Sequence, residues 1–172
     1  MDTFSISTII LIVVITILIF VWQWFSKREK KNKNYNNINS IAKLHNCKIS
    51  AYDFTNNIII GTDEDSRFLF FFNKNDKTSL ALQITEIERC KINLIRHGIG
   101  SGNNIQSVID LIELVLTHKD SKKSDIIIEC YNSKRDFYYP EKDLTLLEKW
   151  ETFIKSSIKK NNSENAPEKK II

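Results

Sequence analysis

Chemically reactive residues are scarce in this chain. Three cysteines and three histidines are scattered over its 172 residues, and Cys47, Cys90 and Cys130 form no Cys-x-x-Cys or Cys/His spacing. An odd, unpatterned set argues against a disulfide framework and fits small apolar thiols in a reducing compartment. Cys90 and Cys130 stand inside alternating apolar runs, which predicts core thiols. His45, His97 and His118 never occur four apart, so no helical metal pair is written here, and each is expected to be exposed near the end of an element. Asp63, Glu64 and Asp65 lack the glycine and the distal glutamate of a calcium loop and read as a solvated turn. Glu86 and Glu88 are predicted to share a strand face with no base or nucleophile beside them. Gly98-Ile99-Gly100-Ser101-Gly102 misses the dinucleotide-binding fingerprint, because Asn103 stands where its third glycine belongs. A flexible hairpin connection is the expectation there. With no Ser-His-Asp, Cys-His or metal constellation, the chain reads as non-catalytic, with no cofactor and no metal.

Charge is missing altogether from residues 4–25. At about 1.5 Å per helical residue this run is about 33 Å long, enough to cross a hydrocarbon core of about 30 Å. A secretory signal peptide needs a basic start, a shorter apolar stretch and a small-residue cleavage site; only Asp2 is charged before the run, and no such site follows. Trp22, Trp24 and Phe25 stand where the apolar run meets Lys27, Arg28, Lys30, Lys31 and Lys33. Amphipathic rings settle at the headgroup boundary and basic residues stay on the cytoplasmic side. The expectation is a single-pass anchor in a bacterial inner (plasma) membrane, N-terminus out, with the rest of the chain cytosolic. The basic cluster reads as the topology signal; the alternative is that it also meets anionic lipid headgroups, at about 1 kcal/mol per charge.

The net charge of +4 does not indicate nucleic acid. Residues 26–35 carry +4 and residues 155–172 carry +3, whereas residues 36–154 hold fifteen basic against seventeen acidic side chains. A nucleic-acid interface concentrates basic residues on one face of a domain. The domain here is slightly acidic.

Four regions follow: an anchor over 1–25, a basic and asparagine-rich linker over 26–37, a β-rich cytosolic domain over 38–160, and a polar tail over 161–172. A short helix is predicted to begin at Asn39 or Ser40 and to end at Asn46 in a left-handed conformation. Period-two alternation then predicts strands over 48–54, 58–62, 67–73, 79–85, 88–95, 107–117 and 124–132. The sixth, SVIDLIELVLT, fits a helix almost as well. The third, RFLFFFN, is apolar on both faces and needs cover on its second side. Thr145 and Glu148 form a capping-box pattern for a last helix over 144–160, whose Leu147, Trp150, Ile154 and Ile158 line one face. Trp150 is its expected core anchor. The fold class is α+β, mainly β: seven antiparallel strands in a bent sheet or sandwich, closed by an amphipathic helix.

This order, strands ending in a helix with an inward Trp150, is similar to the pleckstrin-homology-like fold, which binds lipid headgroups, peptides or proteins. The stretch CKISAYDFTNNIIIGTDEDSRFLFFF, with QITEIERCKI and LLEKW, resembles uncharacterised single-span membrane proteins of Gram-negative bacteria with such a cytosolic domain. The first resemblance implies headgroup binding only where basic residues flank the first hairpin loop. Here that loop is Phe54-Thr55-Asn56-Asn57 with Lys48 the nearest basic residue before it, so a protein or peptide ligand is the inference. The expected function is a membrane-anchored binding or scaffold module serving another membrane or membrane-associated protein. The alternative is a membrane-anchored enzyme or small-ligand sensor with a pocket near the glycine loop, around His97 and His118.

Overall fold

A computed structural model describes residues 3–100 and 106–164, without the side chains of residues 3–10, 27, 30 and 164. The chain forms two units, residues 1–37 and 38–172. One helix, α1 (Thr3–Leu44), fills the described part of the first and contributes its last turns to the second.

In the first unit α1 is long and apolar enough to span a membrane. From Leu11 to Phe25 its apolar side chains are exposed on every side. Thr16 hides its hydroxyl by donating to Ile12 O at 2.8 Å, one turn earlier. Residues 26–37, expected to be a linker, are helical. Asparagine favours turns through local hydrogen bonds, but extending a nucleated helix gains a backbone bond for each residue fixed, and that wins here. The short helix predicted near residue 40 is therefore the end of α1, not a separate element. It closes as a Schellman motif: Asn46 has φ 55°, Cys47 N–H donates to Ala42 O at 2.9 Å, and Asn46 N–H donates to Lys43 O at 3.1 Å.

The described residues of the second unit hold seven antiparallel strands in two sheets. The first sheet is a meander of β1 (Ile49–Phe54), β2 (Ile58–Asp63), β3 (Phe68–Asn73) and β4 (Ser79–Gln83). Ile58, Ile60, Leu69 and Phe71 face the main core. Ile59 and Phe70, on the other face, pack with Ile38, Ile41, Ala42 and Cys47. The last turns of α1 are thus the cover that β3 requires. Gly61 makes the approach possible, since a Cβ there would meet Ile38 Cδ1 at 2.8 Å.

A 3₁₀ turn at Ile84–Glu86, expected to be strand, leads into the second sheet: β5 (Ile87–Ile99), β6 (Gln106–His118) and β7 (Ile126–Asn132). The ambiguous segment over 107–117 lies in β6 and is a strand. β7 pairs only with Leu111 to Leu116 of β6, so the far ends of β5 and β6 run on as a two-stranded arm. A bulge marks the start of the arm, where Ile95 pairs with Leu111 but Arg96 pairs with Ile109, leaving Asp110 without an opposite residue.

α2 (Glu141–Glu164) buries Leu147, Trp150, Ile154 and Ile158 in the main core. Its start lies before the predicted capping box. Thr145 is a helix-interior residue that donates its hydroxyl to Glu141 O at 3.0 Å, and the Glu141 and Asp143 carboxylates occupy the dipole-favoured first turn. α2 bridges the open edges of the two sheets on one side: Trp150 Nε1 donates to Asp53 Oδ2 on β1 at 2.9 Å, and Glu151 Oε1 accepts Ile92 N–H of β5 at 3.1 Å. The predicted tail begins late, because 161–164 are helical, and residues 165–172 lie outside the described residues.

Candidate functional site

The residues singled out by the sequence do not come together. Trp22, Trp24, Phe25, Arg28, Lys31 and Lys33 lie on α1, with the Arg28 guanidinium 5.5 Å from the Trp24 ring; Lys27 and Lys30 are on the same helix, and their side chains fall outside the description. Trp150 is buried. His97 pairs with Val108 and His118 with Ile87, at opposite ends of the β5–β6 ribbon, so no pocket gathers these two histidines. His118 is half-buried rather than exposed, and its Nδ1 has no hydrogen-bond partner among the described residues. His45 is exposed, with its ring 5.4 Å from that of Phe68. Among the described residues no group of three His, Cys, Asp or Glu could hold a metal ion. Of the glycine loop, Gly98 and Ile99 belong to β5 and Gly100 has φ 121°, while Ser101, Gly102 and Asn103 lie outside the described residues. The next element is a strand, not the helix that a dinucleotide turn requires.

Two acidic expectations change as well. Asp63 is buried, not solvated: its Oδ1 accepts the N–H groups of Arg67 and Phe68 at 2.8 Å each, closing the β2–β3 turn. Its Oδ2 has no hydrogen bond among the described residues and lies 3.5 Å from Arg67 Nε. Glu86 is off the strand, in the 3₁₀ turn, 3.1 Å from Lys123 Nζ.

The built polar cluster lies where three connections meet the start of α2. Asn57, in the first hairpin loop, donates through Nδ2 to Asp136 Oδ2 at 2.7 Å and to Cys130 O at 3.0 Å. Asp136 Oδ2 also accepts Asn132 N–H at 2.9 Å and faces Arg135 at 3.2 Å. Tyr138 donates its hydroxyl to Asp143 Oδ2 at 2.7 Å. Burial raises the Asp143 carboxyl above the usual carboxylate range, and burial with the Asp143 bond pushes the Tyr138 phenol up.

These bonds invert the ordinary alternation of an extended segment. Asp136 and Tyr138 are turned inward by their partners, so Phe137 and Tyr139 are turned out, 92% and 89% exposed. Isolated exposed apolar residues are common; here two nearly bare aromatic rings stand two positions apart. They border a groove of about 500 Å³ between residues 136–141 and Ser107, Val108 and Ile109 of the arm. Tyr131 lines its wall, with its ring 5.3 Å from that of Tyr138. Sequence periodicity missed this site, because the force that turns Asp136 inward comes from Asn57, 79 residues away. The only local signal is the aromatic run FYYP before α2.

Other hollows lie among the described residues. One of about 580 Å³ lies between the β3–β4 hairpin and β7, floored by Ile58, Phe71 and Ile128. Another, of about 390 Å³, lies beside Ile95, Asp110 and Ser133. Next to it, His97 Nδ1 lies 2.7 Å from the Asp110 carboxylate, and Ser133 Oγ donates to that same carboxylate at 3.3 Å. A serine bound to the aspartate rather than to the imidazole is not the order in which a nucleophile is activated. Comparison with protein-family models, with curated proteins and with solved structures finds no match.

Proposed function

We propose that this protein is a single-pass membrane-anchored binding or scaffold module that presents a pleckstrin-homology-like domain to a protein or peptide partner. The observation that carries the reading is the outward pair Phe137 and Tyr139 above the groove at the base of the arm. Apolar rings held out by buried bonds cost folding nothing to cover on binding, and aromatic residues dominate the energetics of interfaces. A four-stranded and a three-stranded antiparallel sheet with a C-terminal helix between their edges support the fold assignment. Asn57, the last residue of the first hairpin loop, is spent on the structural cluster, and Lys74 Nζ is bound to Thr55 O, which favours a protein ligand over a lipid headgroup at that loop.

The anchor is α1, with Trp22, Trp24 and Phe25 at the headgroup boundary and the following basic residues on the cytosolic side of a bacterial inner membrane. Anionic lipids then neutralise Arg28, Lys31 and Lys33, whose side chains are exposed. Anchoring raises the effective concentration of the groove near any partner held in the same membrane. Proximity labelling in intact cells tests this. The wild-type chain and the Phe137→Ala/Tyr139→Ala double variant, at equal abundance, should differ in one membrane-associated partner; identical labelling by both would overturn the proposal.

A second reading, a small-ligand sensor near the glycine loop, is favoured by one observation, the His97–Asp110 pair beside its hollow. It requires that His97→Ala abolish a ligand response that the aromatic double variant retains.

A further inference from the structure

The groove beneath Phe137 and Tyr139 carries enough chemistry to name its occupant. Resting on the binding reading above, the geometry points to an extended, proline-containing peptide segment bearing a basic side chain.

Three features converge. The first is aromatic lining: the exposed rings of Phe137 and Tyr139 rise over a wall that includes Tyr131 and Tyr138. Proline offers a flat, weakly hydrated ring face, and a polyproline II segment is already extended before it binds, so little ordering entropy opposes its docking on aromatic surfaces.

The second is an idle donor. Tyr131 is only 5% exposed, and its hydroxyl has no hydrogen-bond partner among the described residues. Its hydroxyl is not sealed from solvent, and the residue lines the groove. A phenol whose partner is water can exchange that water for a ligand acceptor without a new desolvated donor being left behind. A proline segment supplies carbonyl acceptors and few N–H donors, which matches a wall whose spare polar group donates.

The third is charge. The charged side chains lining the groove are both carboxylates, Asp136 and Glu141. Asp136 is engaged by Arg135, whereas Glu141 has no cation within ion-pair distance among the described residues. A lysine or arginine in the ligand completes Glu141; an acidic ligand meets repulsion.

The test uses the full-length protein in detergent micelles and fluorescein-labelled ten-residue peptides, read by fluorescence anisotropy. One peptide carries a Pro-x-x-Pro core with an arginine, the second has its prolines replaced by alanine, and the third has its arginine replaced by glutamate. The first should bind, and Phe137→Ala or Tyr139→Ala should weaken it about tenfold or more. Tyr131→Phe, which keeps the ring, should weaken it about fivefold. The glutamate peptide should bind less well than the first, and Glu141→Lys should reverse that preference. Equal affinity for the proline and alanine peptides would overturn the inference in favour of any extended chain. No binding by any peptide, with partner labelling still lost in the aromatic double variant, would overturn the proline class and leave the binding module standing. No binding together with unchanged labelling would remove both. Self-association abolished by the same double variant would replace the peptide by a second copy of the chain.

Discussion

Trp150, midway along α2, donates its indole N–H to Asp53 Oδ2 on β1 across 2.9 Å, and Lys149 Nζ reaches the same oxygen at 2.7 Å. The ring itself is in the main core, 5.4 Å from Phe153 in an edge contact. A large buried aromatic with its polar atom satisfied holds the helix to the sheet edge both by area and by direction. Lys149 is mostly exposed, so its ion pair adds little.

Trp150→Ala is therefore expected to cost about 3–5 kcal/mol, through lost apolar contact and the cavity left behind. Asp53→Ala removes only the acceptor and should cost about 1–3 kcal/mol, because the indole N–H is then left without a partner. Urea denaturation of the full-length protein in detergent measures both. Equal stability of wild type and Trp150→Ala would refute the packing of α2.

Asp143 should make stability fall as pH rises. Its folded pKa is raised by burial, so the folded state holds the proton more tightly than the unfolded chain. The carboxyl costs the fold nothing below its unfolded pKa, and a penalty develops as pH climbs through the unfolded and then the folded value. Asp143→Asn still accepts the Tyr138 hydroxyl and carries no charge, at the loss of a favourable interaction with the α2 dipole. The variant should gain on wild type between acid and neutral pH in paired denaturation curves. A difference that does not change with pH would sink this assignment.

The strands were legible because alternation is a local property: each half-buried strand repeats its face every second residue, whatever lies across the core. The long apolar helix was legible for a similar reason, since residues 4–25 have no polar stripe that could face water. The errors fall where distant or cooperative forces act. Residues 26–37 follow the helix already running into them, against the turn preference of asparagine. The start of α2 was misplaced because Thr145 and Glu148 match a capping box in composition, while Asp143, two residues before Thr145, was already tied to Tyr138. The candidate site was hidden apart from the run FYYP: Phe137 and Tyr139 are outside and Asp136 inside, the reverse of what periodicity expects.

The thiols should be silent in the folded protein. Cys90 and Cys130 are buried, and desolvation pushes each up to about 12; Cys47 is raised as well, by burial and by the Asp63 carboxylate. Since the thiolate is the nucleophile, iodoacetamide at neutral pH should leave all three unmodified and should add three groups after unfolding. Intact-mass spectrometry reads the number directly. Rapid modification of Cys130 without unfolding would contradict its place in the core.

Gly61→Ala tests how closely α1 is seated on the first sheet. Alanine in a strand ordinarily stabilises by about 0.4–1 kcal/mol through the unfolded state. Here its Cβ would stand 2.8 Å from Ile38 Cδ1 and 3.0 Å from Ala51 O, and the second of these atoms is backbone. The clash should outweigh the entropy gain, for a net loss of about 1–3 kcal/mol. Ile38→Val removes the nearer atom at a cost of about 0.5–1.5 kcal/mol on its own. In the double variant the two losses should sum to less than their separate values, because the shortened side chain vacates the space that alanine needs, while the Ala51 carbonyl keeps the relief partial. Strict additivity in denaturation measurements would show that Ile38 does not press on Gly61, and with it that the last turns of α1 are not the cover of β2 and β3.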